Sequence, residues 1–249
     1  MLSIVRHPLR FIWRLGSFTG FILSLSFNYL RLRAQGPVST ERRQAWMKSS
    51  ALRLANILKL RIRRLGDIPE SGIIASNHLS YLDIVVIATV APGIFVSKSD
   101  VRYWPVIGAL SAWAGTLYVS RNRRADVARV SLEMATALKA NHRVIVFPEG
   151  TSSDGQSVLD FHSSLFSPAE ATQCPVTPCC LRYREPGNDP EHRVCYWGSM
   201  LFLTHFLILL TLEYIEVALK FGQPITEPTP RKQLAKSIYA KVSQLAADP

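Results

Sequence analysis

The sequence predicts an α/β fold, in which a mainly parallel sheet is flanked by helices and preceded by a basic amphipathic or hydrophobic N-terminal helical arm. From Gly66 onward, short apolar runs that fit buried strands alternate with longer segments of helical period. Residues 1–65 carry 13 Lys and Arg against one acid, whereas residues 66–249 carry 16 against 17. We therefore divide the chain into an arm, residues 1–65, and an α/β domain, residues 66–249.

The arm contains two segments of helical character. Residues 15–30 carry no charge and are flanked by Arg14 and Arg31. They are somewhat short for a spanning helix, which needs roughly 20 apolar residues, so spanning the bilayer and lying in its interface both stay open. Residues 42–64 mix apolar side chains at helical spacing with many cations, which is typical of a membrane-surface helix, although an ordinary surface helix also fits.

The cations of the arm are interleaved with Leu, Ile, Phe and Trp. This pattern favours contact with an anionic membrane over nucleic-acid binding, for which no known module is present. Arg14 interrupts the apolar stretch and no clear cleavage site follows it, which argues against a secretory signal.

The domain is predicted to alternate strands and helices along the chain. The predicted strands are residues 72–76, 93–98, 116–121, 143–150, 175–183 and 215–225. The predicted helices are residues 82–91, 104–115, 126–140 and 231–246. This order is typical of a parallel sheet with helices on its faces.

Polar residues follow three of the predicted strands. His78 comes after strand 72–76, Arg121 ends strand 116–121, and Glu149 lies at the end of strand 143–150. Because the carboxyl ends of parallel strands meet at one edge of a sheet, we expect these side chains to share that edge. The basic run that begins at Arg121 is either a solvated charge cluster or a phosphate clamp, since guanidinium groups bind phosphate bidentately.

The stretch NHLSYLD, residues 77–83, places His78 ahead of Asp83. On one continuous helix their side chains would point about 140° apart. Ser80 and Asp83 fit a capping box, with Ser80 as the N-cap, so that His78 lies on the preceding turn and Asp83 reaches back towards it. Asp83 would then fix the tautomer of His78 and stabilise its imidazolium form. The spacing alone also fits a simple cap beside a hydrogen-bonded turn residue.

The cysteines and histidines do not form a recognisable metal motif. The cysteines are Cys174, Cys179, Cys180 and Cys195. None of them forms a C-x-x-C pair, and the histidines do not lie at zinc-binding spacing. We expect reduced thiols and no metal site.

Four blocks stand out along the chain, in the order NHLSYLD, GTLYVSR, VFPEGTSS and CPVTPCCLRY. Together they resemble the glycerolipid acyltransferase family, the group of 1-acylglycerol-3-phosphate and lysophospholipid acyltransferases. Pro175 or Pro178 matches the proline of the fourth block, and Lys98 matches a recurring lysine of the family. The resemblance covers roughly residues 66–225.

The resemblance implies transfer of a fatty acyl group from an acyl-ACP or acyl-CoA thioester to the free hydroxyl of a lysophospholipid, foremost 1-acylglycerol-3-phosphate to give phosphatidic acid. It implies that His78 is the general base and that Asp83 orients it. The substrate-binding residues that it implies are Arg121, Arg124, Glu149, Gly150, Thr151 and Lys98. The expected partners are membrane lipids, the lysolipid and the thioester donor. No bound cofactor, metal or nucleic acid is expected, and the active site is expected on the cytoplasmic side of a membrane.

Two departures from the family pattern concern the acceptor. Ser152 stands where lysophosphatidic acid enzymes commonly have Arg, and His162 stands where a basic residue is often found. The first departure resembles the lyso-ornithine-lipid branch, which is the alternative acceptor; an inactive membrane-binding protein of the same fold is the other alternative. The apolar residues 200–212 are expected to form a buried helix or part of an acyl-chain surface, since they are short for a membrane span.

Overall fold

The structure is a computed structural model that describes residues 8–184 and 191–248. The strands are β1 (Leu60–Leu65), β2 (Gly72–Ser76), β3 (Ile94–Lys98), β4 (Leu117–Val119), β5 (Arg143–Val146), β6 (Val176–Arg184) and β7 (Ile215–Phe221). The α-helices are α1 (Pro8–Ala34), α2 (Thr40–Leu58), α3 (Leu82–Val90), α4 (Ile107–Ala114), α5 (Arg124–Lys139), α6 (Ser167–Thr172), α7 (Glu191–Val194), α8 (Phe202–Leu209) and α9 (Arg231–Ala247). Short 3₁₀ helices cover Ser99–Tyr103 and Ser163–Phe166.

The seven strands form one sheet in the order β1-β7-β6-β2-β5-β3-β4. The pairs of neighbouring strands are parallel, except for the antiparallel pair of β6 and β7. The predicted α/β fold with a mainly parallel sheet is therefore confirmed. The carboxyl ends of β2, β5, β3 and β4 all lie at one edge, which we call the site edge.

Both faces of the sheet are buried, which explains why the central strands are continuous apolar runs. Alternate residues of one strand enter different cores: Ile74 packs on the side of α2, α3 and α8, whereas Ile73 packs on the side of α5, α6 and α9. Ile145 and Val144 divide in the same way. The strands β2 and β5, which carry the motif residues, are thereby held rigidly between two packed layers.

The prediction of a second arm helix over residues 42–64 is wrong at the C-terminal end of that segment. Helix α2 ends at Leu58, where Lys59 adopts a left-handed backbone with φ of 56° and its N–H caps the last turn. Residues 60–65 then form the edge strand β1, which pairs in parallel with β7. Leu60 and Ile62 face the core on alternate positions, as a strand requires. Part of the segment assigned to the arm thus belongs to the sheet.

Helix α1 packs along the domain with one face and presents the other to solvent. Phe21, Leu25 and Tyr29 are buried. An exposed apolar stripe runs the length of the opposite face and comprises Leu9, Ile12, Trp13, Leu23, Phe27 and Leu30. Among residues 8–184 and 191–248, no helix is both long enough and apolar enough to cross a membrane.

A buried arginine ties α1 to the turn that follows α8. Arg14 is 2% exposed, and its guanidinium donates hydrogen bonds to the carbonyl oxygens of Leu210, Leu212 and Glu213. The last carbonyl groups of a helix have no partner within the helix, so a cation there is favourable. This contact fixes the position of α1 relative to the domain.

Candidate active site

His78 and Asp83 lie together at the site edge. The Nδ1–H of His78 donates a hydrogen bond of 2.8 Å to Oδ2 of Asp83. Asp83 is fully buried, whereas the His78 side chain keeps 22% of its exposure. Because Asp83 holds the proton on Nδ1, the Nε2 atom of the neutral imidazole is left as an acceptor. The pair therefore has the geometry of a general base and its orienting carboxylate.

Three further donors hold the Asp83 carboxylate. The backbone N–H groups of Leu79 and Ser80 donate to Oδ2 at 2.7 and 3.0 Å. The hydroxyl of Tyr183, which lies on β6, donates to Oδ1 at 2.6 Å. Burial and the neighbouring Asp83 charge raise the pKa of Tyr183 well above its usual value, so that its hydroxyl stays protonated and continues to donate.

The capping box predicted for this stretch is only half formed. Asp83 accepts from the Ser80 N–H, as predicted. The Ser80 hydroxyl, however, is buried without a hydrogen-bond partner, and the residue that precedes the first residue of α3 is Tyr81 rather than Ser80. The Asp83 N–H, to which a capping Ser80 hydroxyl would bind, donates instead to the Ser80 carbonyl oxygen at 3.0 Å. Asp83 thus serves His78 and the backbone of the turn at once.

Packing and backbone contacts fix the orientation of the His78 ring. The ring stacks on Phe147, with centroids 4.2 Å apart, and Ser153 N–H donates to the His78 carbonyl at 2.9 Å. The neighbouring Asn77 is buried and makes a two-way contact with the Leu181 backbone, through Nδ2 at 3.0 Å and Oδ1 at 2.8 Å. The turn between β2 and α3 is thus anchored to β5 and β6.

His78 lies at an apolar cavity of about 330 Å³. This volume falls in the usual range of small-molecule sites, roughly 300–1,000 Å³. Its walls come from α1 (Phe18, Phe21), α2, α3 and α8 (Phe206) and include Phe147 below the imidazole. One end of the cavity carries His78 and the polar residues of the site edge. The cavity thus combines apolar walls with polar groups beside the base.

Arg121 and Gly150 meet directly at the polar end of this cavity, where both are lining residues. Gly150 has φ of +77°, and a Cβ atom built on it would overlap the Arg121 guanidinium. Within the described residues, the guanidinium has no ion-pair partner. Its fork of donors is therefore free for an anionic group. Thr151 also lines the cavity.

Glu149 lies behind the cavity rather than in its wall. The residue is 4% exposed, and neither carboxylate oxygen makes a well-formed hydrogen bond among the described residues. Burial raises the pKa of Glu149 to about 8, with a further rise from the Asp83 charge, and the nearby N–H groups of His78 and Leu159 only partly oppose this. Its role as a substrate-binding residue stays a prediction.

The other predicted binding residues lie at the periphery. Lys98 lines the cavity and forms an exposed ion pair of 2.6 Å with Asp100. Such exposed pairs contribute little to stability, so Lys98 can exchange this partner for a ligand. Arg124 begins α5 and is exposed without lining the cavity.

The remaining chemistry of the described residues adds no nucleophile or metal site. No group of three or more His, Cys, Asp or Glu side chains within residues 8–184 and 191–248 is placed to hold a metal ion. Burial raises the pKa of the Cys180 thiol to about 12 and that of Cys179 further. Since the thiolate is the nucleophilic form, these thiols are inert.

Sequence reasoning missed Tyr183 and Phe147 as members of the site. Tyr183 is the last residue of the fourth block, but it lies 100 residues beyond Asp83 and nothing in the spacing links the two side chains. Phe147 was the last apolar residue of a strand. Its position just before Pro148 and Glu149 was the one available signal, since the side chain at that strand end faces the site edge.

Comparisons with known proteins show the family to which the chain belongs. The family model described as Acyltransferase matches residues 59–182. The lyso-ornithine lipid O-acyltransferase of Brucella abortus is 33% identical over 208 residues, which cover 77% of this chain and 78% of that protein. The chain belongs to the acyltransferase family.

Two further similarities bear on this acyltransferase. The 1-acyl-sn-glycerol-3-phosphate acyltransferase of Neisseria gonorrhoeae is 32% identical over 128 residues, which cover 51% of this chain and 50% of that protein. The crystal structure of 1-acyl-sn-glycerophosphate acyltransferase PlsC from Thermotoga maritima superposes with a TM-score of 0.65 at 22% identity and covers 99% of both chains. At this identity the structural likeness supports the fold.

Proposed function

We propose that this acyltransferase moves a fatty acyl group from an acyl-ACP or acyl-CoA thioester to the free hydroxyl of a lysolipid whose headgroup carries a carboxylate or phosphate. The observation that carries the proposal is that His78, held by Asp83, lines an apolar cavity that is also lined by the unpaired Arg121. The cavity suits an acyl chain, the imidazole suits a hydroxyl, and the guanidinium suits an anionic headgroup.

In the proposed reaction, Nε2 of His78 takes the proton from the acceptor hydroxyl as its oxygen attacks the thioester carbonyl carbon. The new carbon–oxygen bond forms, and the carbon–sulfur bond then breaks. The leaving thiolate receives the proton back from the imidazolium, so that the base is regenerated. Asp83 stabilises the imidazolium in between, and Tyr183 and two backbone N–H groups hold Asp83 in place. No acyl-enzyme is needed.

Two acceptors fit the site, and we favour lyso-ornithine lipid. The relative that carries that name shares 78% of its length with this chain, against 50% for the Neisseria 1-acyl-sn-glycerol-3-phosphate acyltransferase. Ser152 carries no charge where a second arginine would stand in lysophosphatidic acid enzymes. Arg121 is therefore the guanidinium that lines the cavity. One guanidinium matches one carboxylate, such as that of ornithine, whereas a phosphate monoester carries more charge to neutralise. The four motif blocks keep 1-acylglycerol-3-phosphate as the second candidate.

We further propose that the enzyme works at the surface of a membrane, with α1 lying in the interface and the active site on the cytoplasmic side. The support is the exposed apolar stripe of α1 together with the cations of the arm. A helix of this kind buries its apolar face at the boundary between headgroups and acyl chains. The cavity is walled partly by the same helix, which would bring a lipid acceptor close to His78.

The direct experiment supplies membranes containing this chain with an acyl donor and with each lysolipid separately. We expect acylation of lyso-ornithine lipid and less or none of 1-acylglycerol-3-phosphate; the reverse preference would reassign the acceptor. Acyl-ACP and acyl-CoA are compared in the same assay to identify the donor.

The His78→Ala variant tests the chemistry. Loss of the general base is expected to lower turnover by roughly 10²–10⁴-fold. A matched control is His142→Ala, which removes a histidine that lies outside the cavity and faces Glu41 at 3.6 Å. Equal rates in the parent and in His78→Ala, or no acyl transfer by the parent with any lysolipid, would contradict the proposed mechanism.

A further inference from the structure

A second concave site, which we call the basic cleft, lies at the N-terminal end of α1, away from the connection between α1 and α2. It is formed by the first turns of α1, the junction of α2 and β1, and the turn before β7, with a volume of about 550 Å³. It shares no lining residue with the apolar cavity. The basic cleft is therefore a separate site, to which neither the motif blocks nor the reaction assigns a role.

The charge of the basic cleft is strongly positive. Its lining includes the cations Arg10, Arg14, Lys59 and Arg61 and a single carboxylate, that of Glu213. Arg14 is engaged by backbone carbonyl oxygens, which satisfy its donors without cancelling its charge. An anion entering this concave surface would meet several positive charges at once.

Lys59 and Arg61 are available to such an anion. Neither makes an ion pair among the described residues. The Arg61 guanidinium is held over the Tyr214 ring, 3.4 Å from its centroid. Stacking of this kind fixes the plane of the guanidinium and leaves its edge donors free, which is a suitable arrangement for a phosphate oxygen pair.

The surroundings of the basic cleft indicate a lipid phosphate rather than a free one. Trp13 lines it and is exposed, and Leu9 and Ile12 are exposed on the same first turns of α1. These side chains begin the apolar stripe that continues along the helix. Trp and Tyr rings beside cations are typical of the level of lipid headgroups in a bilayer. A phosphate bound here would have apolar protein surface beside it, where acyl chains lie.

We propose that the basic cleft binds the phosphodiester group of an anionic phospholipid, such as phosphatidylglycerol, in the membrane on which the enzyme works. The proposal deepens the proposed membrane location, because it names the lipid class that the start of α1 recognises. Since Arg14 links this end of α1 to the turn after α8, a lipid bound in the cleft would also support the docked position of α1.

The test measures flotation of the full-length protein with vesicles of phosphatidylcholine alone and of phosphatidylcholine with about one third phosphatidylglycerol. The cleft variant combines Lys59→Gln and Arg61→Gln. Its matched control combines Arg63→Gln and Arg64→Gln, which removes the same two positive charges from neighbouring positions on β1 that lie outside the cleft. We expect the cleft variant to lose at least about fivefold more affinity for the anionic vesicles than the control, as for loss of one or more specific phosphate contacts.

Equal losses in the two variants would overturn the proposal, because they would reduce the effect to general electrostatic attraction. Inorganic phosphate distinguishes the source of the anion. If the parent binds inorganic phosphate in solution while the two variants float equally, the site takes free phosphate and the lipid assignment fails. Arg61→Lys, which keeps the charge but not the stacked fork, is expected to lie between the parent and the cleft variant. Flotation needs no turnover, so its result stands whether or not acyl transfer is observed.

Discussion

The hydroxyl of Tyr183 on β6 donates a 2.6 Å hydrogen bond to the carboxylate oxygen of Asp83 that does not face His78. Both residues are buried, and the hydrogen bond joins the end of β6 to the first turn of α3, 100 positions apart in the chain. It holds the Asp83 carboxylate on the side away from the base. The orientation of His78 therefore depends on a residue outside the motif that carries the histidine.

Replacement of this phenol should separate orientation from folding. Tyr183→Phe leaves one oxygen of a buried carboxylate without its donor, which is expected to cost about 1–3 kcal/mol of unfolding free energy. The unbalanced carboxylate should bind the imidazolium form of His78 more strongly. We expect a lower kcat and an acidic limb of the pH–rate profile that moves to higher pH. The measurement is the pH dependence of kcat/KM beside thermal unfolding.

Tyr118→Phe is the matched control. It also removes a 2.6 Å hydrogen bond, the one between Tyr118 and Ser111, which lies away from His78 and Asp83. It should lose stability without moving the pH–rate profile. If Tyr183→Phe shows the same pattern as this control, the Tyr183 contact is structural only.

Much of the site edge could be predicted because three motif residues each end an apolar run, and such runs form strands wherever both faces of a sheet are covered. His78, Arg121 and Glu149 indeed follow β2, β4 and β5. The pattern does not predict how deeply each of these side chains is buried relative to the cavity. Glu149 lies behind the cavity and Arg121 lies in its wall, although both follow strand ends. The burial of each side chain depends on the conformation of the turn that follows its strand, and tertiary contacts determine that conformation.

The edge strand β1 shows why local pattern fails for residues that pair at long range. The run from Leu60 to Leu65 holds three Arg, and its apolar residues continue the spacing of the helix before it. Its strand conformation comes from pairing with β7, about 155 residues further along the chain, as in Leu60 opposite Ile215. Propensity is a weak prior when such a partner is available, and the tertiary context overrides it.

The contact of Gly150 with Arg121 leads to a prediction about acceptor binding. A methyl group on Gly150 would overlap the Arg121 guanidinium, which is the far end of a flexible side chain and can be displaced. Gly150→Ala should therefore raise the KM for the lysolipid by roughly tenfold, as for loss of a charge-assisted contact of about 1.4 kcal/mol, with the KM for the acyl donor less affected. Steady-state kinetics with each substrate varied in turn measures this.

Gly198→Ala is the control, since Gly198 also has positive φ, of 62°, but has nothing within 4 Å of an added Cβ. Both variants carry the backbone strain of a left-handed residue, about 1–2 kcal/mol. Only Gly150→Ala should change the KM for the acceptor. A similar KM in both variants would show that Arg121 does not bind the lysolipid.

Burial of Glu149 predicts an unusual dependence of stability on pH. Its folded-state pKa is about 8, above the value of about 4.3 expected in the unfolded chain. The fold therefore favours the protonated form, and the contribution of this group to stability falls as pH rises between those two values, by at most about 1.4 kcal/mol per pH unit. Glu149→Gln should remove that decline.

The measurement compares urea unfolding of the parent and of Glu149→Gln at several pH values across this window. The free energy of unfolding of Glu149→Gln should rise steadily relative to that of the parent as the pH approaches about 8. Glu227→Gln, which changes an exposed carboxyl, serves as the control for the change of residue type. A constant difference between the parent and Glu149→Gln across the window would show that Glu149 is not buried as a neutral acid.

The Arg14 contact predicts how far the cavity depends on α1. Arg14→Met keeps the length and apolar stem of the side chain but removes the donors to the carbonyl groups after α8. We expect a loss of about 2–4 kcal/mol in unfolding free energy, since buried carbonyl oxygens are left without partners. Because Phe18 and Phe21 of α1 wall the cavity, the variant should also discriminate less between acyl donors of different chain length.

Rates with a series of donor chain lengths, together with hydrogen exchange of the α1 backbone, measure both effects. Arg31→Met is the matched control, because Arg31 lies in the same helix, is exposed and does not touch α8. The control should keep the parent's stability and its preference among donors. If Arg14→Met lost stability while its chain-length preference and the exchange of α1 stayed unchanged, the arm would be held to the cavity by its apolar face alone. The arginine would then only satisfy the end of α8.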